Sequence, residues 1–326
     1  MKKYILLAAL PLMFLFAACE DDSIDSPHLN VTVDTEEAID VEDGVPVFKK
    51  GSSVKFNIDE KSDMVTFYSG ESGAKYEFRD RTQLDGTPYL QFGLEMTDEK
   101  TSGLFHVYVS SDFVGMTKER DTDAENIENA TWVEITDQCD LPTEITTTPK
   151  VTPLIDLSDF KGNPLYVAFR YLRPANKGIC RFQVRNLVIN NEDGGFLYPI
   201  TKTSTAGWTA FDFNATGTDD PYNSSGGSGT NRAWDTRNVV KEERMYIGYR
   251  STVVDNDDWV ISSAIDLTSV APDMGEGIKA YDDVRLREFR HIYNTAGVYK
   301  VSFIGTNSKN ADTRTVVKEV TIKIID

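Results

Sequence analysis

The feature that most constrains this fold is a period-two alternation of apolar and polar residues along most of the chain. Val54, Phe56 and Ile58, for example, alternate with polar neighbours. Such alternation predicts strands with one buried face, because successive side chains of a strand point to opposite sides. Gly, Pro, Asn and Asp clusters separate these segments, and no long segment has a helical period. We therefore predict an all-β protein built from antiparallel β-sandwiches. The other alternating segments are residues 105–109, 165–171, 299–303 and 320–324.

Residues 1–18 have the pattern of an export signal. A basic start is followed by a run of fourteen uncharged residues from Ile5 to Ala18. A transmembrane helix needs about twenty apolar residues, so this run is typical of a signal peptide instead. Two alanines precede Cys19, as a lipoprotein signal peptidase requires, although Phe16 stands where Leu, Val or Ile is commoner. We expect acyl chains on Cys19 to anchor the protein to a membrane. An ordinary secretory signal is the alternative.

The segment after Cys19 is acidic. Glu20, Asp21 and Asp22 resemble the surface-export signal of Bacteroidetes lipoproteins, which implies an outer-membrane protein facing the cell exterior. A plain solvated tether is the alternative. Residues 19–45 contain few large apolar side chains, so we expect an acidic tether, with a first strand allowed at 29–33.

Composition excludes several classes of function. The net charge is −18, from 52 acidic and 34 basic residues. This balance argues against nucleic acid, which requires clusters of Lys and Arg. Only three histidines are present, and no Gly-x-Ser-x-Gly or metal-protease motif occurs. We expect no enzyme, although paired carboxylates of a glycoside hydrolase are close in space and not in sequence.

Two candidate sites for ligands follow from local composition. A Gly/Ser-rich loop at 223–229 is flanked by aromatic residues that could stack on sugar rings. The alternative is that its tryptophans are core residues, and we assign the remaining tryptophans, Trp132 and Trp259, to the core. The candidate ligand-binding residues are Trp208, Tyr222, Arg232 and Trp234.

An acidic run suggests a structural calcium ion, because Ca²⁺ takes several oxygen ligands. Asp255, Asp257 and Asp258 are the candidate ligands, although they lack EF-hand spacing and a solvated acidic loop is the alternative. Cys139 and Cys180 remain beyond the anchor. They either pair in an oxidising compartment or stay as two unpaired core cysteines.

The C-terminal region resembles a known domain type. Tyr293, Ala296, Gly297, Tyr299 and Val301 resemble the late hairpin of polycystic-kidney-disease (PKD) type immunoglobulin-like domains. The resemblance implies a split sandwich formed by residues 46–84 and 279–326.

Residues 85–278 would then be an insertion. Within it, residues 131–135, 258–262 and 265–267 resemble the jelly-roll domains of bacterial adhesins and carbohydrate-binding modules.

Together these segments resemble the Bacteroides surface lipoproteins of the DUF5017 family over nearly the whole chain after residue 19. The most specific stretches are 65–71, 76–81, 257–262 and 291–307.

The family resemblance implies a role but no ligand. Such lipoproteins accompany SusC/SusD-like outer-membrane transporters, so an accessory similar to SusE and SusF is expected. A polysaccharide is the expected ligand. The alternatives are a peptide-binding accessory of such a transporter and a structural partner without its own ligand.

Overall fold

The computed structural model describes residues 24–98, 103–146, 148–178, 180–217, 219–222, 234–247 and 255–326. The expected signal peptide, Cys19 and Arg232 lie outside these residues. Within the described residues, the strands form four sheets and helices are few, so the all-β sandwich prediction is confirmed.

Strands make up most of the regular structure. Their bounds, in chain order, are β1 (His28–Val33), β2 (Asp40–Glu42), β3 (Val45–Lys49), β4 (Ser53–Lys61), β5 (Met64–Tyr68), β6 (Thr87–Asp98), β7 (Phe105–Ser110), β8 (Val133–Glu134), β9 (Lys150–Val151), β10 (Ile155–Asp156), β11 (Tyr166–Arg173), β12 (Cys180–Asp193), β13 (Phe196–Lys202), β14 (Thr209–Asp212), β15 (Arg244–Ile247), β16 (Asn256–Ile261), β17 (Glu276–Lys279), β18 (Glu288–Ile292), β19 (Gly297–Lys309) and β20 (Asp312–Ile325).

The helices are short. Helix α1 covers Arg120–Asn129 and helix α2 covers Val239–Glu242. Single 3₁₀ turns lie at Tyr76–Phe78, Thr136–Gln138 and Ser158–Phe160. None of the helices in the described part of the chain has the length and apolar character that crossing a bilayer requires.

The chain divides into two compact units. One ends at Tyr76 and resumes at Met274, and the other covers Glu77–Asp273. The expected boundaries, after residues 84 and 278, lie a few residues further along the chain.

The first unit is a sandwich of two sheets. One sheet has the order β1-β4-β18, and the other has the order β17-β5-β19-β20-β3-β2. Val54, Phe56 and Ile58 of β4 are buried between the sheets, as the alternation predicts. The hairpin of β19 and β20 closes with Lys309 opposite Asp312. Its turn residue Asn310 has φ +56°, a left-handed conformation that asparagine tolerates better than most residues.

Within the described part of the expected acidic tether at 19–45, the strand allowed at 29–33 is present as β1, whereas the unpredicted β2 and the start of β3 correct the tether assignment. Strand β1 pairs along β4, and Leu29 and Val31 are buried in the core of the first unit. Strand β2 pairs with β3. The few apolar residues of this segment alternate with polar ones, and two buried side chains are enough to hold an edge strand against an existing core.

The second unit is also a sandwich. One sheet has the order β10-β6-β12-β13, with β15 on β12 and β9 on β6. The other has the order β14-β16-β11-β7-β8 and is called the five-stranded sheet below. Phe92, Val107, Phe169, Val184 and Val260 pack between the two sheets in the main core.

The five-stranded sheet is covered on its other face too. Phe113, which precedes helix α1, and Ile127 of α1 pack on this face. They contact a cluster that contains Phe211, Trp259 and Ile261. This second cluster explains why β16 ends in three consecutive apolar residues, 259–261, without alternation, since both faces of this part of the strand are buried. The second layer covers only part of this face, and a cleft remains beside it.

Cys139 and Cys180 are two separate buried thiols and do not form a disulfide. The Cys139 thiol donates to the carbonyl oxygen of Ile135, and that of Cys180 donates to the carbonyl oxygen of Thr97. Burial raises the pKa of the Cys139 thiol to about 12, so it stays protonated and unreactive at neutral pH.

Candidate functional site: an aromatic cleft

A cleft of about 270 Å³ opens on the outer face of the five-stranded sheet. We call it the aromatic cleft. This volume is at the small end of ligand sites and suits a group of the size of one or two sugar rings. Its lining residues are Tyr108, Ile127, Glu128, Trp132, Arg170, Phe213, Asp257 and Trp259.

Strand alternation places the cleft residues on one face. Val107 and Val109 of β7 point into the main core, so Tyr108 between them points outward. Arg170 of β11 is likewise on the outer face, directly opposite Trp259 of β16 in the antiparallel register. Three neighbouring strands therefore bring an arginine and two aromatic rings together.

The aromatic rings form a continuous surface. Tyr108 stacks on Trp259 with ring centroids 5.3 Å apart and planes 24° apart. Trp132 lies 5.2 Å from Trp259 and 5.3 Å from Phe113. Trp259 is only 5% exposed, so the partly exposed rings of Tyr108, Trp132 and Phe213 present the accessible faces.

An ion pair lies against this surface. Arg170 donates from Nε and Nη2 to the two carboxylate oxygens of Asp257, both at 2.7 Å. The Trp259 indole also donates to Asp257 Oδ1, at 3.1 Å. The Arg170 guanidinium carbon is 5.1 Å from the centroid of the Trp259 ring. The Asp257 carboxylate raises the pKa of Arg170, which keeps the guanidinium charged.

Helix α1 provides one wall of the cleft. Buried Asp123 holds its N-terminal end, because its carboxylate accepts hydrogen bonds from Thr117, Lys118 and the Tyr222 hydroxyl. Trp132, just after the helix, donates from Nε1 to the carbonyl oxygen of Ile127 at 2.9 Å. These bonds fix the wall and the indole plane before any ligand binds, which lowers the entropy cost of binding.

A histidine–glutamate pair flanks the cleft. His106 Nδ1 is 2.8 Å from Glu134 Oε1, and the imidazole stacks on Tyr108. Burial raises the pKa of Glu134, but the hydrogen bonds from His106 and Thr136 outweigh it and lower that pKa overall. Burial and the negative charge of Glu134 raise the pKa of Tyr108, so its hydroxyl stays neutral at pH 7.

The described members of the sequence-predicted ligand set do not form an exposed surface, and Arg232 lies outside the described residues. Trp234 is completely buried in the main core, where its indole donates to the carbonyl oxygen of Asp258. Trp208 packs at the edge of the same core, 5.6 Å from Phe169. Tyr222 lies in the second cluster, on the outer face of the five-stranded sheet and away from the main core. Its hydroxyl donates a hydrogen bond to Asp123. The expectation of a stacking platform between Trp208 and Trp234 is therefore wrong.

The calcium candidates are also dispersed. Asp255 accepts a hydrogen bond from the amide of Ala175, Asp257 pairs with Arg170, and Asp258 is buried in the sandwich. Within the described ranges, no group of three or more His, Cys, Asp or Glu side chains is arranged to hold a metal ion. Asp258 Oδ2 accepts a hydrogen bond from the Asn256 side chain, so each of the three carboxylates has a partner within the protein.

Asp258 lies deep in the second unit and has a perturbed acidity. Burial raises its pKa well above the usual range, and the negative charges of Asp212 and Asp257 raise it further. Asp212 is its cross-strand neighbour, and burial raises the pKa of that carboxyl as well. A carboxyl with a raised native pKa binds more protons in the folded state, so stability falls as pH rises from about 4 through the native pKa.

We expect Asp258→Asn to flatten this pH dependence, because an amide does not ionise. Thermal unfolding between pH 4 and pH 8 measures it. The difference in the free energy of unfolding between the variant and the natural protein should move in favour of the variant as pH rises. Asp159→Asn, which removes an exposed carboxylate of the same unit, is the matched control and should keep the natural slope. An unchanged slope in Asp258→Asn would contradict the prediction.

Of the residues that line the aromatic cleft, the sequence predicts Trp132 and Trp259 in the core and Asp257 at a calcium site. It predicts no site at Tyr108 or Arg170. The signal that could have found them is in the same alternation that predicts the strands. If Val107 and Phe169 point inward, Tyr108 and Arg170 must point outward, and an outward arginine in line with outward aromatic residues is not a usual solvent face. The register that aligns Arg170 with Trp259 cannot be read from the sequence.

The comparisons with known proteins give a family. A family model described as "Domain of unknown function (DUF5017)" matches residues 18–208. This range includes Tyr108, Trp132 and Arg170 but not Asp257 or Trp259, so it is shorter than the nearly whole-chain likeness expected. Searches of the curated proteins and of the solved structures found no match.

Proposed function

The chain belongs to the DUF5017 family, which has no assigned function, and from its aromatic cleft we propose that it captures carbohydrate without transforming it. It would act as a lipid-anchored accessory of a SusC/SusD-like uptake system on the outer membrane, exposed to the cell exterior. The cleft carries the binding part of this proposal. The N-terminal sequence and the family resemblance support the cellular part.

The observation that carries the proposal is the combination of flat aromatic faces with a fixed ion pair. Sugar rings have faces of C–H groups that pack on aromatic rings, whose faces carry partial negative charge. Their hydroxyls both donate and accept hydrogen bonds. Arg170 supplies donors and Asp257 supplies acceptors beside the rings of Tyr108 and Trp132. A shallow cleft of this composition suits a sugar better than an apolar ligand.

The hydrogen bonds of Asp257 favour binding over catalysis at this carboxylate. A glycoside hydrolase needs one carboxyl as a proton donor and a second as a base or nucleophile. Both oxygens of Asp257 accept hydrogen bonds from Arg170. This arrangement suits Asp257 to orient a ligand through its hydrogen-bond network.

The short connection to the anchor would hold the first unit close to the membrane. Ile24, which is buried, lies five residue steps after Cys19. Five fully extended residues span roughly 18 Å. A lipid on Cys19 would therefore keep the first unit near the bilayer surface, closer than an acidic tether over residues 19–45 would place it.

We expect Cys19→Ala to abolish incorporation of labelled palmitate and to remove the protein from the outer-membrane fraction, because the acylated sulfur is lost. Fractionation of cells that express the full chain measures both. Ser23→Ala, close to the same site, should change neither. Labelled palmitate on the Cys19→Ala variant would contradict lipidation at this residue.

The binding proposal is tested by affinity electrophoresis of a soluble form that begins at Ile24. The panel contains neutral polysaccharides (laminarin, starch, xylan and galactomannan) and anionic ones (polygalacturonate and chondroitin sulfate). Retardation by at least one polysaccharide is the expected result. Absence of retardation in every gel would overturn glycan capture and leave a peptide-binding or purely structural accessory as the reading to test.

A further inference from the structure

Among the described residues, the lining of the aromatic cleft has an excess of negative charge. These residues include two carboxylates, Asp257 and Glu128, and one guanidinium, Arg170. Glu134, whose side chain is 44% exposed, lies beside Tyr108 and His106 at the edge of the cleft. The lowered pKa of Glu134 keeps it ionised at neutral pH.

Arg170, the one arginine among the described lining residues, is already engaged by a carboxylate of the cleft. Arg170 uses Nε and Nη2 in a two-point bond with Asp257, the arrangement that an incoming carboxylate or sulfate would itself need. To bind there, an anion must displace Asp257 or approach it closely. Displacement would leave Asp257 without its charged partner beside the Trp259 indole.

The charge of the whole protein acts in the same direction. The chain carries a formal net charge of −18, which produces a negative potential over much of the surface. At the Trp259 ring, the position that an ammonium group of a ligand would take is already occupied by the Arg170 guanidinium, 5.1 Å from the ring centroid.

We infer that the aromatic cleft selects uncharged saccharides and rejects anionic ones, with the Arg170–Asp257 pair and Glu128 as the determinants of this selectivity. The inference rests on the proposed function and names its ligand class. Neutral sugars keep their hydroxyl hydrogen bonds with both members of the pair. Among the described lining residues, uronic acids and sulfated sugars meet two carboxylates and a guanidinium whose Nε and Nη2 already bind one of them.

The test compares polymers that differ only in charge. Laminarin, starch, xylan and galactomannan are each used in native, carboxymethylated and hydroxyethylated form. The hydroxyethyl group controls for the size of the substituent. We expect the natural protein to bind the carboxymethylated form of its polysaccharide at least about tenfold more weakly than the hydroxyethylated form. Added salt should narrow this gap, because it screens charges at the open cleft.

Two variants test the named determinants. Asp257→Asn leaves the charge of Arg170 without its carboxylate partner. The affinity difference between the hydroxyethylated and carboxymethylated polymers should therefore become smaller, or the carboxymethylated polymer should bind more tightly. Glu128→Gln changes an exposed residue of α1, which avoids the risk of misfolding. It should also reduce the affinity difference between the hydroxyethylated and carboxymethylated polymers. Glu125→Gln, an exposed residue of the same helix outside the cleft lining, should leave the gap unchanged.

The outcomes separate the inference from the proposed function. Equal or stronger binding of the carboxymethylated or naturally anionic polymers by the natural protein would overturn the neutral-sugar inference and leave glycan capture standing. A gap that is unchanged in both Asp257→Asn and Glu128→Gln would also overturn it. No binding of any polymer would remove the proposed function, and the inference with it.

Discussion

Replacement of Trp234 by alanine is expected to destabilise the second unit by about 3–5 kcal/mol, the usual cost of truncating a fully buried large aromatic residue. Trp234 is completely buried, and its ring lies 6.0 Å from Phe105 and 6.2 Å from Phe169, between the two sheets. The truncation also leaves the carbonyl oxygen of Asp258 without the indole donor.

Urea denaturation and thermal unfolding of the Trp234→Ala variant measure this loss. For a unit of this size, it corresponds to a melting temperature lower by about 10 °C. Trp234→Phe keeps most of the buried apolar area and should lose clearly less stability. Carbohydrate binding by the folded fraction should remain, because the indole lies in the core and not in the cleft. A loss below about 1 kcal/mol would contradict the assignment of Trp234 to the core.

Replacement of Trp132 by alanine is expected to have the largest effect on binding. Trp132 is a partly exposed ring at the wall of the aromatic cleft, and its plane is fixed by the bond to Ile127 and by contact with Trp259. A central aromatic anchor of this kind contributes about 2 kcal/mol, so binding should weaken about 30-fold.

Isothermal titration with the polysaccharide that retards the natural protein most measures the effect of Trp132→Ala. Trp132→Phe keeps an aromatic face and should retain part of the affinity. Trp208→Phe, at the edge of the main core, is the control outside the cleft and should bind normally. Full affinity in Trp132→Ala would exclude this ring as the sugar platform.

The fold could be predicted from the sequence to the extent that alternation specifies it. In β4 and β7 one face is buried in a core, so apolar residues recur at every second position and the strands are visible in the sequence. Strand β1 is less visible in the sequence, where it was only allowed at 29–33. Two apolar residues among polar ones, next to an acidic segment, resemble a tether. Its burial depends on pairing with β4, which is close in space but separated by β2 and β3 in the chain.

The site could not be predicted in the same way. Trp208 and Trp234 flank a Gly/Ser loop, a composition typical of an exposed binding loop, yet tertiary packing places both against the main core. Trp259 begins a run of three apolar residues, which indicates burial on both faces of the strand. Its side chain is buried, and it nevertheless lines part of the cleft. Which part of a covered sheet remains open depends on how far α1 and the Phe113 loop extend over it, and local sequence does not encode that distance.

The central claim, that carbohydrate binds at the aromatic cleft, is tested most directly by ¹⁹F NMR of protein labelled with 5-fluorotryptophan. The chain has four tryptophans, two at the cleft (Trp132 and Trp259) and two at the main core (Trp208 and Trp234). Single Trp→Phe variants assign the four signals. On saturation with the polysaccharide that retards the protein most, we expect the signals of Trp132 and Trp259 to shift and those of Trp208 and Trp234 to stay. Shifts confined to Trp208 and Trp234, or no shift in any signal under saturating conditions, would contradict binding at the cleft.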